Sequence, residues 1–161
     1  LAALRSVGTV PAARQRTDSH AFVAALADTA NALCRPAKLH FVLQEQWQGQ
    51  FLCAAPELSR ALENMLDNAV RYTPAGGTVT LDVSKTEDTL VFTVTDTGPG
   101  FTPEALHKAG QFLYTDAARP GNGHQGLGLY LARSVAQAHV GKLVLANTGT
   151  GAQVQLCLPM Q

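Results

Sequence analysis

The sequence predicts a two-layer α+β sandwich, with helices laid against a sheet. Three observations carry this reading. Apolar residues recur at helical spacing in three separate segments, and strict apolar–polar alternation marks two neighbouring stretches. The elements also run α, ββ, α, ββ, loop, α, ββ, so that helices alternate with what read as antiparallel pairs. The chain has 161 residues, 46% of them apolar, which suits one domain that buries its own core without a metal or disulfide.

Residues 1–18 carry Gly8, Pro11 and scattered Arg5, Arg14 and Arg16 with no sustained period. They are expected to be a linker or the tail of a preceding domain, with residues 19–161 forming the folded domain. From Ser19, Phe22, Val23, Leu26, Ala30 and Leu33 recur at spacings of three and four, which predicts a helix, and Pro36 stops it. Two short apolar runs, 39–43 and 51–54, read as strands. Pro56 opens a second helix at a tolerated early position. Leu58, Leu62, Met65, Leu66 and Ala69 form its core stripe, and Pro74 with Gly76 and Gly77 ends it. Val79, Leu81 and Val83 alternate with Thr78, Thr80 and Asp82. Leu90, Phe92 and Val94 alternate with Thr93 and Thr95. With a polar turn over 85–88, this predicts a hairpin. A short helix is expected over 103–108. Residues 113–126 lack a hydrophobic period and carry Pro120, Gly121, Gly123 and Gly126, so they read as a mobile loop. A third helix is expected over about 127–138, then strands 142–146 and 152–158 joined by a turn at 149–151. No internal repeat is present.

Composition removes several functions. Lys plus Arg number 12 and Asp plus Glu number 12, so the formal net charge is zero. With no block of like charge, nucleic-acid binding by phosphate neutralisation is not expected, nor is a polybasic membrane tail. No apolar run is long enough to span a bilayer, so no membrane contact is expected of this stretch. The odd set Cys34, Cys53 and Cys157 forms no CxxC pair and sits among apolar neighbours, which predicts buried reduced thiols and no zinc site. A chain that opens on Leu1 rather than Met, with no signal peptide, is expected to be a piece of a longer protein.

Three segments carry chemistry. On the second helix, Asn64, Asn68 and Arg71 fall at i, i+4 and i+7, one stripe on the surface. At about 100° per residue, that stripe lies roughly 130° from the Met65, Leu66 and Ala69 stripe, so one face can pack while the other offers two amides and a guanidinium. Amide oxygens suit a hard cation such as Mg²⁺, and a guanidinium suits phosphate. The second segment is Asp96-Thr97-Gly98-Pro99-Gly100 at the end of a strand. Counting by twos from Leu90 puts Asp96 on the inward face, where a carboxylate needs donors. A base with an exocyclic amine would supply one, and Gly98 and Gly100 would let backbone approach a flat ligand. The third runs from Gly121 to Leu129, glycines leading into an apolar helix, a pattern that suits an anion. It lacks the Lys-Ser/Thr of a P-loop and the βαβ setting of a dinucleotide fingerprint. Alone, each segment also reads as a solvated face, a capped turn or an ordinary glycine loop.

In this order and spacing the three resemble the nucleotide-binding domain of the GHKL superfamily, and most closely the catalytic ATP-binding domain of bacterial sensor histidine kinases. The resemblance covers roughly residues 19–159. The stretch from Asn64 to Pro74 is similar to the asparagine box. Asp96, Gly98 and Gly100, followed by Phe101, are similar to the first glycine box. Gly123 and the Gly126-Leu127-Gly128-Leu129 run are similar to the second. The resemblance implies the Bergerat ATP-binding fold, with a mixed, mostly antiparallel sheet of about five strands and three helices on one face. It implies ATP and Mg²⁺ as ligands. Asn68 would ligate the metal, with Asn64 beside it, and Arg71 would contact phosphate. Tyr72 would pack near the adenine or sugar, Phe101 would belong to the nucleotide site, and Asp96 would accept from the adenine amine. Gly126, Leu127 and Gly128 would offer backbone to the phosphates. Residues 113–125, with Arg119 and His124, would form a lid over ATP that is disordered without nucleotide.

Some positions depart from the family pattern. Phe112 is kept, but Ala109 and Gly110 stand where another Phe is common. Tyr114 sits where a basic residue is expected, and His124 replaces a glycine. A phosphoacceptor histidine is usually followed by an acidic residue, and none of His20, His40, His107, His124 and His139 is. The acceptor is therefore expected on a separate dimerisation domain, which passes the phosphoryl group to a response regulator. This stretch is expected to be monomeric and cytoplasmic, and the parent a homodimeric sensor kinase of the inner or plasma membrane. Two other functions are open: a GHKL ATPase or anti-sigma serine kinase, and a degenerate nucleotide-binding or protein-interaction module. The first usually places a Glu general base four residues before the metal Asn. Here that position is Asn64, and Glu63 is turned about 100° away.

Overall fold

Alternation over 78–96 folds as expected, into the central hairpin of a sheet. A computed structural model describes residues 13–108 and 125–160. In chain order its elements are β1 (Gln15–Asp18), α1 (Ser19–Cys34), β2 (His40–Glu45), β3 (Gln50–Cys53), α2 (Ala55–Tyr72), β4 (Thr78–Thr86) and β5 (Thr89–Asp96). There follow α3 (Pro103–Lys108), α4 (Gln125–Ala138), β6 (Lys142–Asn147) and β7 (Ala152–Pro159). Five strands form one sheet in the order β2-β4-β5-β7-β6. Only β2 and β4 run parallel; the other neighbours are antiparallel.

Register explains the core. Val83, Phe92 and Leu156 face one another across β4, β5 and β7, and Leu81, Val94 and Val154 form the next row. All six are buried. α2 packs on β4 and β5, α4 on β6 and β7, and α1 beside β2, with α2 touching both α1 and α4. Because α2 is central, its buried positions (Leu58, Ala61, Leu62, Met65, Leu66, Asn68, Ala69 and Tyr72) cover an arc of roughly 160°. Asn68 lies at one margin of that arc. The rings of Phe22, Phe51 and Phe92 meet edge-on or tilted with centroids 6.0 to 6.2 Å apart, joining α1, β3 and β5.

Three expectations are corrected. The runs 39–43 and 51–54 do not pair with each other: β2 pairs in parallel with β4, and β3 pairs with β1 in a separate two-stranded ribbon. The chain between them is held on α1, since the Ser19 amide donates to the Gly49 carbonyl and the Gly49 amide to Ser19 Oγ, both at 2.9 Å. Residues 15–18, read as linker, form β1 itself. Asp18, its last residue, caps α1 by accepting from the Ala21 amide at 2.9 Å. The third helix begins at Gln125, two residues before its expected start.

α2 begins without a side-chain cap from its own N-cap residue, Ala54. The Ala54 amide instead donates to His139 Nε2 at 3.0 Å. The ring must then carry its proton on Nδ1, which donates to the Val135 carbonyl at 2.8 Å. Burial, and secondarily the positive charge of Arg14, hold His139 below the usual histidine range against the opposing pull of the Val135 hydrogen bond and Glu57. The unfolded chain takes up this proton near pH 6.5, while the folded chain resists it. Stability is therefore complete above about pH 6.5 and falls as the pH drops below that value. The urea midpoint of the native chain should fall between pH 7.5 and pH 5.5. In His139→Gln it should start lower and lose most of that pH dependence. An unchanged pH dependence in His139→Gln would refute the assignment.

All three cysteines are free and buried, and burial pushes each thiol up. That suits packing rather than reactivity.

Candidate nucleotide site

The C-terminal half of α2 and the end of β5 come together at one edge of the sandwich. A β-carbon on Gly98 would lie 2.6 Å from the Tyr72 carbonyl oxygen. Glycine is needed there because the turn after β5 touches the last turn of α2. Asp96 stands on the inward face, opposite Val79 and in line with Leu90, Phe92 and Val94, as its spacing predicts. It is only 4% exposed. Its Oδ1 accepts from the Gly98 amide at 2.9 Å and the Ala152 amide at 3.2 Å. Two backbone donors on one oxygen fix the carboxylate's orientation.

On α2, Asn68 is also 4% exposed, and among the described residues its Oδ1 has no hydrogen-bond partner. A buried acceptor left unmatched costs about 1 to 3 kcal/mol. Such an oxygen fits a hard cation, which takes carboxamide oxygens readily. Asn64 is half-buried one turn earlier. Arg71 is exposed in the last turn, its Nη2 3.3 Å from Asp67 Oδ2. Tyr72 and Phe101 are both buried, and Phe101 belongs to the core. The polar stripe read from the helix is thus split: Arg71 faces outward, Asn64 is intermediate and Asn68 is enclosed.

Gly126, Leu127 and Gly128 occupy the first turn of α4. Arg119, His124, the lid over 113–124, Phe112, Tyr114 and the positions 109 and 110 lie outside the described residues. Among the described residues no His, Cys, Asp and Glu cluster could hold a metal, and no helix is long and apolar enough to cross a membrane.

One residue escaped the sequence reading. Asn147, at the end of β6, accepts from the Phe101 amide through Oδ1 at 2.7 Å and donates through Nδ2 to the Phe101 carbonyl at 2.8 Å. Gly100 has φ +81, and a β-carbon there would lie 2.9 Å from Asn147 Oδ1. Both glycines after Asp96 therefore have reasons within the protein itself. A cleft of about 240 Å³ opens here between residues 98–100 and 147–151. No local pattern could have marked Asn147, since its partner is 46 residues away.

Residues 53–161 match the family described as histidine kinase-, DNA gyrase B-, and HSP90-like ATPase. The chain belongs to this ATPase family. Membership makes the ATPase-like domain an ATP-binding one. Among curated proteins, the sensor histidine kinase SpaK of Bacillus subtilis is 42% identical over 106 residues, which are 65% of this chain and 23% of SpaK. The sensor protein SphS of Synechococcus elongatus is 30% identical over 165 residues, covering 94% of this chain and 40% of SphS. The chain thus spans under half the length of these relatives. Among solved structures, the mycobacterial sensor histidine kinase MprB superposes with a TM-score of 0.80 at 23% identity, over 91% of this chain and 99% of that one. Full-length ShkA in complex with AMPPNP gives 0.81 at 22% identity, over 94% and 32%. These two likenesses establish the fold of the ATPase-like domain.

Proposed function

We propose that this chain is the ATP-binding catalytic domain of a sensor histidine kinase, acting on a histidine carried by a separate dimerisation domain. The observation that carries the reading is a pair of buried polar side chains, Asn68 on α2 and Asp96 at the end of β5, in a chain of an ATPase family. Asp96, held by two amides, accepts from the adenine amine. Asn68 Oδ1 ligates Mg²⁺ beside Asn64, and Arg71 leaves Asp67 to contact phosphate. Tyr72 packs near the sugar, and the first turn of α4, with Gly126 and Gly128, receives phosphate oxygens. When bound, Mg²⁺ neutralises charge that develops on the phosphates.

In the transfer, the bond from the γ-phosphorus to the ADP oxygen breaks as a phosphorus–nitrogen bond forms to the acceptor imidazole. This domain's share is positioning and charge stabilisation, with no covalent intermediate of its own. A response regulator then takes the phosphoryl group from the dimerisation domain. That SpaK and SphS are sensor proteins and that ShkA binds AMPPNP support this reading. We place the domain boundary just before β1 and the parent at the inner or plasma membrane, with this domain in the cytoplasm and the dimer held by the other domain. The test is calorimetric titration with ADP and a non-hydrolysable ATP analogue, with and without Mg²⁺, followed by labelled-phosphate transfer to a supplied phosphoacceptor domain. Micromolar binding and transfer are expected; no nucleotide binding would overturn the reading.

Asn64 stands where relatives that hydrolyse ATP place a Glu, and a carboxamide cannot take a proton from water. The chain's steady-state ATP hydrolysis alone should be negligible. Robust turnover that Asn64→Ala abolishes would contradict this.

A further inference from the structure

The clamp on Phe101 has no counterpart among the roles above. Asn147 reaches from β6 to the turn that follows Asp96 and takes both the amide and the carbonyl of Phe101, at 2.7 and 2.8 Å. A carboxamide paired to one residue's two backbone groups substitutes for a neighbouring strand. It fixes the far end of the segment 97–101. The near end is fixed separately: the Thr97 amide donates to the Thr78 carbonyl at 3.2 Å, and the Thr78 amide donates to Thr97 Oγ1 at 3.0 Å. Between these anchors lie Gly98, whose amide holds Asp96 Oδ1, and Gly100, whose φ of +81 leaves room for Asn147. On the other side, the turn after Asn147 closes on itself, Thr148 Oγ1 accepting from the Gly151 amide at 3.0 Å. The next amide, that of Ala152, is the second donor to Asp96 Oδ1. A β-carbon on Gly151 would lie 2.1 Å from the Asp96 carbonyl oxygen. Asn147 thus ties together the two loops that each supply one hydrogen bond to Asp96.

We propose that Asn147 is a positioning residue for nucleotide recognition, acting through Phe101 and the 97–101 turn to hold Asp96 in its base-accepting orientation. This rests on the nucleotide-binding reading above. The side chain supplies one acceptor and one donor, so Asn147→Asp removes half the clamp with almost no change in volume, and Asn147→Ala removes all of it. Loss of a paired hydrogen bond set of this kind weakens what it positions by about tenfold.

The decisive experiment measures adenosine and ADP affinity for wild type, Asn147→Asp and Asn147→Ala, with and without Mg²⁺, beside thermal melts and amide exchange at Phe101. Adenosine and ADP should weaken by the same factor of about ten in Asn147→Ala. The ratio of ADP affinities with and without Mg²⁺ should stay as in wild type, and Phe101 should exchange faster. A merely structural role would lower the melting temperature and leave adenosine affinity of the folded protein unchanged, and that result would overturn the proposal. So would weakening confined to ADP in Mg²⁺. Should Asn147→Ala fail to fold, Asn147→Asp decides on the same readouts. Wild type that binds neither ligand would instead overturn the nucleotide-binding reading, and this proposal with it. Wild type that binds both, with variants that bind equally well, overturns this proposal alone.

Discussion

Asp96→Asn is expected to weaken ADP binding by about 100-fold or more while the ligand-free domain stays folded. The reasoning starts from the two amides that converge on Oδ1. In the variant they orient the carboxamide, because only its oxygen accepts from them. The –NH₂ group is then driven into the Oδ2 position. There a donor meets the adenine amine, also a donor, and the lost charge-assisted hydrogen bond is replaced by a clash of like partners. Backbone contacts of the turn survive, so the melting temperature should change little. Calorimetry with ADP and a melt on the same sample check both halves. Nucleotide affinity within a few-fold of wild type would remove Asp96 from the base site.

Asn68→Ala should act on a different quantity. Among the described residues Asn68 Oδ1 is buried with no hydrogen-bond partner, so removing it relieves the unmatched acceptor even as it opens a small space. The ligand-free variant should be about as stable as wild type, or slightly more stable. Phosphoryl transfer to a supplied acceptor domain should nonetheless fall by about two orders of magnitude, the usual effect of removing one group that stabilises developing charge. ADP should bind with nearly the same affinity in the presence and absence of Mg²⁺. A residue kept at a cost to stability and needed for activity has the signature of a functional site. A large fall in melting temperature with Mg²⁺ dependence intact would show Asn68 to be structural instead.

What could be read beforehand depended on how local each signal was. α1, α2 and the β4–β5 hairpin are written in runs of apolar residues with a clear period, and Asp96 fell on the inward face by counting along one strand. β1 could not be seen because Gln15, Arg16, Thr17 and Asp18 contain no apolar residue; its partner, β3, is far along the chain, with Gln15 pairing to Cys53. The pairing of β2 with β4 rather than β3 was equally hidden, since a parallel pair needs a long crossover and leaves no turn signal. In the site, the stripe Asn64, Asn68 and Arg71 was legible as spacing, but the enclosure of Asn68 was not, because burial depends on what packs around a helix and not on its own period. Gly98 and Gly100 were noticed for the room they leave a ligand, while the protein atoms that crowd them were not legible: a β-carbon there would meet the Tyr72 carbonyl and the Asn147 carboxamide. His139 and Asn147 act on residues 85 and 46 positions away, and such contacts have no trace in local sequence.

The β1–β3 ribbon has a practical consequence for anyone shortening the chain. A version trimmed to begin at Ser19 would still contain every residue that the motifs single out. It would lack Asp18, the cap of α1, and would leave β3 with an unpaired edge bearing the exposed Leu52. It would also lack Arg14, whose Nη2 donates to the Ala138 carbonyl at 2.7 Å, one residue before the histidine that caps α2. An open strand edge with an apolar residue on it invites self-association. Turbidity or weak activity in such a preparation would report on the missing arm, and would say nothing about the competence of the nucleotide site.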